Sequence, residues 1–309
     1  MKNIFKRDDG IKIIKKTERG VCGGTDATLD TKAPTQIISD EMTFFYVSSA
    51  LNTYNYRNDG PEPLCYVSAF AARDADGVFL FIEKSTEFRR TQAGERTAAY
   101  VKKDIFPSLV NLVRERKIAK NNGFHSTTHG LPQNFGGEAD IRYASGERIS
   151  FSNNQTPIID YETGVKINEL FEKAVEGEKI KLPDVSDLSV IKYEETRKNG
   201  GYTKAELTLL SDGTGINKKE SRYDDPAVYK SEKKIDAETV SEIKQNIKAT
   251  CLFAWAGLPE SGFSFGEAEK TLTFVFKNGN EIKVKDGKIV PDQISGGFFN
   301  VQLEITTKN

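Results

Sequence analysis

Apolar and polar residues follow one order of patterns twice along the chain. Each half begins with segments in which apolar residues alternate with polar ones or run without interruption, as they do in buried strands. The predicted strands lie at 44–50, 64–71 and 78–82 in the first half and at 188–195 and 202–210 in the second. Each half therefore begins with a predicted antiparallel sheet.

A segment with helical spacing follows the predicted strands in each half. Its apolar residues recur every three or four positions, which places them on one face of a helix. They are Ile105, Leu109, Leu112, Val113 and Ile118 in the first half and Ile235, Val240, Ile243 and Ile247 in the second. Asp104 and Asp236 stand where a capping side chain is expected, so both helices have a predicted start.

A Gly-Leu-Pro tripeptide and a predicted hairpin complete the repeat. The tripeptide occurs at 130–132 and 257–259, and the hairpins lie at 139–151 and 272–284. Ser145-Gly146 and Asn278-Gly279 mark their turns, and such dipeptides fit two-residue hairpin loops. Because Gly and Pro usually punctuate turns, we assign the tripeptide and the hairpin glycines a structural role.

These patterns predict an α+β protein made of two related β-β-(β)-α-β-β units, each an antiparallel sheet with a helix packed on one face. The predicted organisation is an N-terminal extension with a small hairpin (1–34), a first unit (35–176), a linker (177–187) and a second unit (188–309). The first unit is expected to end in a helix at 165–174. The alternating segment 298–307 predicts a final strand in the second unit.

The run GLPQNFGGEADIRYASGERISFSNNQTP (130–157) resembles a set of uncharacterised bacterial proteins in which such α+β units occur singly or in tandem. The resemblance covers most of both units and excludes residues 1–34. It implies a fold and carries over no activity, cofactor or catalytic residue. The second unit departs from the pattern through its inserted residues and its strand-like ending.

Composition excludes several functional classes. The 309 residues include 44 Lys and Arg against 45 Asp and Glu, a net charge of −1, so no basic surface for nucleic acid is expected. No apolar run approaches the roughly 18 residues of a membrane span, and no leader-like segment is recognised at the N-terminus. Cys22, Cys65 and Cys251 lie far apart and predict separate, reduced thiols. A cytoplasmic location is the expectation.

The two histidines of the chain, His125 and His129, fall in one segment, GFHSTTHG, which predicts an exposed polar loop. Four-residue spacing on a helix would begin a zinc site, and Glu138 or Asp140 would be the nearest third ligand. At the corresponding place the second unit carries Phe253 and Trp255. Trp255 is a candidate anchor for a partner and, alternatively, a core residue.

Other catalytic patterns are missing from the sequence. Any Ser-His-Asp or Cys-His arrangement would have to use His125 or His129, and no nucleophile-elbow sequence or phosphate-binding glycine motif occurs. No cofactor is therefore predicted. The sequence favours a non-enzymatic module that binds a protein or a small ligand. The alternative is a metal-dependent enzyme or a metal-binding protein centred on the segment that contains His125 and His129.

Overall fold

A computed structural model describes residues 10–17, 23–53, 63–87, 94–131, 135–223, 227–258, 268–288, 290 and 292–306, with backbone only for 292–295. The chain divides into two compact units, Met1–Lys179 and Ile180–Asn309. Each unit is an open, antiparallel-rich sheet with helices, and strands predominate throughout. Cys22, Pro132 and Pro259 lie outside the described residues, as does the start of the predicted N-terminal hairpin.

The first unit contains a nine-stranded sheet. Its strands are β1 (Ile11–Lys15), β2 (Thr25–Asp30), β3 (Met42–Ala50), β4 (Tyr66–Arg73), β5 (Val78–Ser85), β6 (Glu95–Val101), β7 (Phe124–Thr128), β8 (Gly137–Tyr143) and β9 (Arg148–Asn153). They lie in the order β1-β2-β7-β9-β8-β3-β4-β5-β6, and only the β7–β9 pair is parallel. The segment 1–34, predicted to be an extension, thus contributes two strands to this sheet.

Two helices, α1 (Phe106–Glu115) and α2 (Tyr161–Val175), cover one face of the first sheet. The predicted helical spacing is confirmed, since Leu109, Leu112 and Val113 are buried against the sheet. Phe45 and Phe171 are among the largest side chains in this core. Burial of each such side chain contributes about 1.5–3 kcal/mol, so the apolar stripe of the helices holds this layer together.

The second unit contains a six-stranded antiparallel sheet. Its strands are β10 (Leu188–Arg197), β11 (Tyr202–Leu209), β12 (Gly215–Arg222), β13 (Val228–Ile235), β14 (Ala268–Phe276) and β15 (Glu281–Lys285), in the order β13-β12-β11-β10-β14-β15. Helices α3 (Ala237–Ala249) and α4 (Asp292–Thr306) pack against each other. The predicted cap of α3 is confirmed, because the Asp236 carboxylate accepts a hydrogen bond from the Thr239 backbone N–H at 2.7 Å.

The prediction of a final strand at 298–307 was wrong, because this segment forms most of α4. Its apolar residues alternate, yet only Phe298, Val301 and Ile305 are buried, at the spacing of one helix face. Leu303 remains about half exposed. The segment is short enough to fit both the strand period of two and the helix period of 3.6 residues. Packing against α3 therefore decides in favour of the helix.

The two units share one order of elements. Four consecutive antiparallel strands are followed by a helix, a 3₁₀ turn (Ile118–Asn121 or Leu252–Gly257), two more strands and a final helix. The strand order β9-β8-β3-β4-β5-β6 in the first sheet matches β15-β14-β10-β11-β12-β13 in the second. The first sheet adds β1, β2 and β7. Compared with this shared order, the predicted β-β-(β)-α-β-β pattern lacked one strand before the helix in the first unit. In the second unit it lacked two strands before the helix and also the final helix.

Both predicted hairpins form, as β8–β9 and β14–β15. Gly146 and Gly279 have positive φ values of 87° and 84°, which a glycine adopts without strain. The Tyr143 N–H donates to Glu147 O, and the Phe276 N–H donates in the same way to Asn280 O. The loops therefore hold three residues and not the predicted two, and the glycine supplies the left-handed position that such loops require.

Candidate functional site

A band of hydrogen-bonding side chains crosses the first sheet on the face opposite α1 and α2. Residues directly paired across neighbouring strands present their side chains on the same face. The pairing connects Thr28, His125, Ser152, Glu138, Ser48, Ser68, Glu83 and Arg96, from β2 to β6. We call these eight residues the polar band. It is the longest continuous set of polar side chains that the register places in one row.

A cavity of about 300 Å³ opens over the middle of the polar band. We call it the polar cleft. Its walls come from β3, β4, β7, β8 and β9 and the turn after β9, and include Ser48, Tyr66, Thr127, Glu138, Ser152 and Asn153. All of its lining residues are polar or glycine, so the cleft offers hydroxyl, amide and carboxylate groups to whatever enters it.

Two phenols make hydrogen bonds at the cleft, Tyr66 as a lining residue and Tyr46 through the lining residue Glu138. The hydroxyls of Tyr66 and Ser48 lie 2.7 Å apart, and both residues are buried. The Tyr46 hydroxyl donates to the Glu138 carboxylate at 3.0 Å. Burial, followed by the nearby charge of Glu138, raises the pKa of Tyr46, so this phenol stays protonated and keeps donating at any physiological pH.

The band is most deeply buried where it crosses β4 and β5. Glu83 is 0% exposed and accepts hydrogen bonds from the Gly94 backbone N–H at 3.2 Å and from Arg96 at 3.4 Å. Ser68, paired with both Ser48 and Glu83, has a buried hydroxyl with no hydrogen-bond partner among the described residues. An unsatisfied buried hydroxyl costs about 1–3 kcal/mol, so Ser68 is a polar group that the core alone does not explain.

His125 lies in strand β7 and not in the loop that the sequence predicted. Its Nδ1 is 3.0 Å from the Ser152 hydroxyl, inside the polar band. Burial, followed by the positive charge of Arg148, lowers the pKa of His125 below its ordinary value, so the ring is neutral at pH 7. His125 therefore acts as a neutral hydrogen-bonding side chain at the edge of the cleft.

His129 lies just beyond β7 and is engaged elsewhere. Its Nε2 is 3.0 Å from the Asp26 carboxylate, and both side chains are about half exposed. The backbone N–H of Thr17 and then His129 hold the pKa of Asp26 below its usual value. The histidine pair thus separates into one residue that joins the polar band and one that pairs with β2.

The acids expected to complete a metal site with the histidines have other partners. Asp140 accepts from Arg142 at 2.6 Å and from Arg148 at 2.8 Å, while Glu138 accepts from Tyr46. Within the part of the chain that the structure describes, no three His, Cys, Asp or Glu side chains are arranged to hold a metal ion. The geometry gives the metal-centre hypothesis no support.

A nucleophilic arrangement is also disfavoured by the order of the residues. In a catalytic triad the imidazole lies between the acid and the nucleophile. Here Ser152 pairs with Glu138 on one side and His125 on the other, so the serine separates the acid from the base. The row can donate and accept hydrogen bonds, but it does not orient a base.

Trp255, the candidate anchor in the second unit, is 2% exposed. Its indole N–H donates to Thr250 O at 3.0 Å, and its neighbour Phe253 packs edge-on against Phe274 and Phe276. Of the two alternatives for Trp255, its burial supports the core residue over the partner anchor, since a ring this buried has no surface left for a partner. Cys65 and Cys251 are not joined in a disulfide.

Sequence reasoning missed Ser48, Tyr66 and Ser152 as site residues. Ser48 and Tyr66 stand in patterns that predict only strands, and Ser152 directly follows the predicted hairpin at 139–151. The Ser-Asn-Asn run at 152–154 after a buried Phe151 was the one local signal. That these side chains share a row depends on pairing between strands that are distant in sequence. Neither the predicted strands nor the residue types reveal this pairing.

Comparison with known proteins adds no guide to the site. No protein-family model matches the chain, and no curated protein matches it.

Among the described residues, no helix has the length and apolar composition needed to cross a bilayer.

Proposed function

We propose that this protein is a non-enzymatic binding module that holds a small polar ligand in the polar cleft of its first unit. The observation that carries the proposal is the convergence of buried hydroxyls on a cavity of about 300 Å³. That volume lies at the lower end of the range for small-molecule sites, about 300–1,000 Å³. Rigid strands, and not loops, supply most of the lining groups, which suits a preformed site.

The lining groups define the class of ligand. Glu138 brings a negative charge, and the serine and tyrosine hydroxyls can both donate and accept. His125 is neutral. A compound with hydroxyl or amine donors fits this set, whereas an anion would meet the Glu138 carboxylate without a facing cation. We accordingly propose an uncharged polyol or a small amine and not a nucleic acid, which a chain of net charge −1 does not favour.

Ligand-observed NMR tests this proposal with three sets of probes: uncharged polyols, aliphatic amines and aliphatic carboxylates. We expect saturation transfer to polyols or amines and not to carboxylates. Thr127→Trp, at an exposed position of the cleft wall, should block the signal by filling the cavity. Glu138→Gln should weaken binding about tenfold, because a hydrogen bond to a charged group is replaced by a neutral one.

Glu169→Gln provides the matched control. It makes the same chemical change as Glu138→Gln, but at an exposed position of α2 away from the cleft. It should leave binding unchanged. The proposal is wrong if no probe binds, or if every bound probe is retained by Thr127→Trp.

We further infer that the two units arose by duplication. Their strand order is the same, and β3–β8 and β10–β14 carry a register shift at the same place, after Met42 and Leu188. Lys117 and Cys251, the described non-glycine residues with positive φ, both stand directly before the 3₁₀ turn. Kinship with bacterial proteins of tandem α+β units and a cytoplasmic location remain predictions from the sequence.

A further inference from the structure

The face of the second sheet opposite α4 carries alternating charges at its centre. On the helix-covered face Ile191, Ala205 and Leu207 are buried, and the Asn217 amide reaches Ile305 O in α4. The residues between them in sequence point the other way. At the centre of that open face lie Lys192, Glu194, Lys204, Glu206, Lys218, Glu220, Lys230 and Glu232. We call these eight residues the charged face.

The strand register arranges the charged face as a chequerboard. Across β10, β11, β12 and β13 the first row reads Lys192, Glu206, Lys218 and Glu232, and the second reads Glu194, Lys204, Glu220 and Lys230. Every nearest neighbour, along a strand or across strands, carries the opposite charge. The set is neutral as a whole, so it repels neither a cation nor an anion but matches a surface with the same alternation.

Only part of this charge is neutralised within the chain. Lys230 lies 3.0 Å from Glu220, and Lys218 lies 3.9 Å from Glu232. Lys192, Glu194 and Glu206 make no ion pair within 4 Å in the described part of the protein, although each has an opposite charge directly across the strand gap. Six of the eight side chains belong to exposed residues, and Lys192 and Glu220 are half-buried. These charges therefore remain accessible to a second surface.

We propose that the charged face docks on the charged face of a second copy of this chain, through a two-fold axis that runs along the strands between β11 and β12. A two-fold interface requires a surface that is complementary to itself. This axis lays β10 over β13 of the second copy and β11 over β12 of the second copy. Every lysine then faces a glutamate. The facing pairs are Lys192 with Glu232, Glu206 with Lys218, Glu194 with Lys230 and Lys204 with Glu220.

The row of residues next to the chequerboard favours this axis over a two-fold axis perpendicular to the strands. Tyr202 and Arg222 are paired across β11 and β12, and within one chain the guanidinium lies 5.4 Å from the ring centroid. The proposed axis places Tyr202 over Arg222 of the second copy, which repeats this cation–π contact between chains. An axis perpendicular to the strands would also match the charges, but it would set Arg222 against Ile216.

Association through such a face depends on ionic strength. Charge complementarity fixes partner and register more than it adds affinity, and exposed charges are screened within about 10 Å at about 0.1 M salt and about 3 Å at about 1 M. Sedimentation velocity of the full chain should therefore show a reversible dimer at low salt that dissociates at about 1 M. A chain that stays monomeric at low salt and high concentration overturns the proposal.

Charge reversal at one facing pair provides the decisive test. Glu206→Lys sets lysine against lysine twice in the dimer, and Lys218→Glu sets glutamate against glutamate twice. Each variant alone should dimerise at least about tenfold more weakly. An equimolar mixture should recover the dimer, because the lysine introduced at position 206 of one variant then faces the glutamate introduced at position 218 of the other. A general loss of folding cannot produce this recovery.

Two further variants complete the design. The double variant Glu206→Lys/Lys218→Glu keeps every facing pair complementary and should dimerise like the original chain. Glu242→Lys makes the same charge change at an exposed position of α3 and should have no effect. Dimerisation that survives Glu206→Lys, or single variants that fail to associate when mixed, would place any dimer contact elsewhere. None of these outcomes depends on the polar cleft, so this proposal and the proposed function fail independently.

Discussion

The two sheets have the same strand order but opposite chemistry on the face away from their helices. In the first sheet that face holds Phe44, Phe70, Phe79 and Phe81, all buried, with edge-to-face contacts between Phe44 and Phe70 at 5.2 Å. In the second sheet the centre of the same face is the chequerboard of lysines and glutamates, with Val190 and Ile216 at the places of Phe44 and Phe79. By the matching registers, Phe70 occupies the place of Glu206. The shared strand order thus goes together with an apolar face under the helices, while the chemistry of the other face differs between the units.

The polar band of the first sheet has a counterpart in the second sheet. Its members Ser48, Ser68 and Glu83 correspond to Glu194, Lys204 and Glu220, a row of the charged face. The same row is therefore part of a band of buried polar side chains in one unit and part of an exposed charged surface in the other. Glu83 and Glu220 share a position, yet one is buried and the other is half-buried and held by Lys230.

The largest expected effect comes from exchanging side chains between these faces. Phe70→Lys should destabilise the first unit by at least about 4 kcal/mol, because it removes a buried ring and places a charge in the core. Glu206→Phe should change the unfolding free energy by less than about 0.5 kcal/mol, since its position is exposed. Urea denaturation in high salt, with hydrogen exchange read separately for each unit, measures both. Comparable losses would mean that the two faces are equally constrained.

A smaller effect should distinguish the final helices of the two units. A Cβ at Gly164 in α2 would lie 2.6 Å from both terminal methyl groups of the buried Leu51, whereas at Gly296 in α4 the nearest neighbour is 3.7 Å away. Gly164→Ala should cost about 1–3 kcal/mol, and Gly296→Ala should add about 0.5–1 kcal/mol. Urea midpoints provide the measurement, with Trp255 fluorescence reporting on the second unit. Stabilisation by both substitutions would show that Leu51 repacks freely.

The smallest effect concerns pH, because both histidines belong to the first unit. The pKa of His125 is lower in the folded protein than its ordinary value of 6.5, so the folded state binds fewer protons than the unfolded chain below that pH. Its contribution to stability is complete above about pH 6.5 and declines as the pH falls toward the lowered folded-state pKa. Hydrogen exchange of the first unit should show this decline, and His125→Gln should reduce it. An unchanged slope in the variant would exclude His125 as the cause.

Local sequence patterns predicted those elements whose structure depends on residues within the same element. The stripe of α1, the Asp236 cap of α3 and the glycines of both hairpins needed no distant contact. Strands β12 and β13 escaped prediction because GINKKESR and VYKSEKKI carry few apolar residues, and their neighbours in the sheet supply the pairing. Helix α4 was misassigned because α3 selects its periodicity.

The candidate site was predictable only in part. His125 was singled out as one of two histidines, but its partner Ser152 is 27 residues away and joins it through the parallel β7–β9 pair. Glu138 was proposed as a metal ligand and instead accepts from Tyr46. Proximity in this site follows from sheet register over long sequence distances, which neither residue type nor spacing encodes.

The position of β7 between β2 and β9 has a consequence for the newly made chain. Strand β2 pairs with β7, and the Thr25 and Thr128 hydroxyls that meet across that pair are 103 residues apart. At a synthesis rate of about 5–20 residues per second, β2 waits about 5–20 s for its partner strand. A waiting strand with open hydrogen-bonding groups invites pairing with other chains. The sequence of β2, TDATLD, is mostly polar, which suits a segment that must stay soluble until β7 emerges.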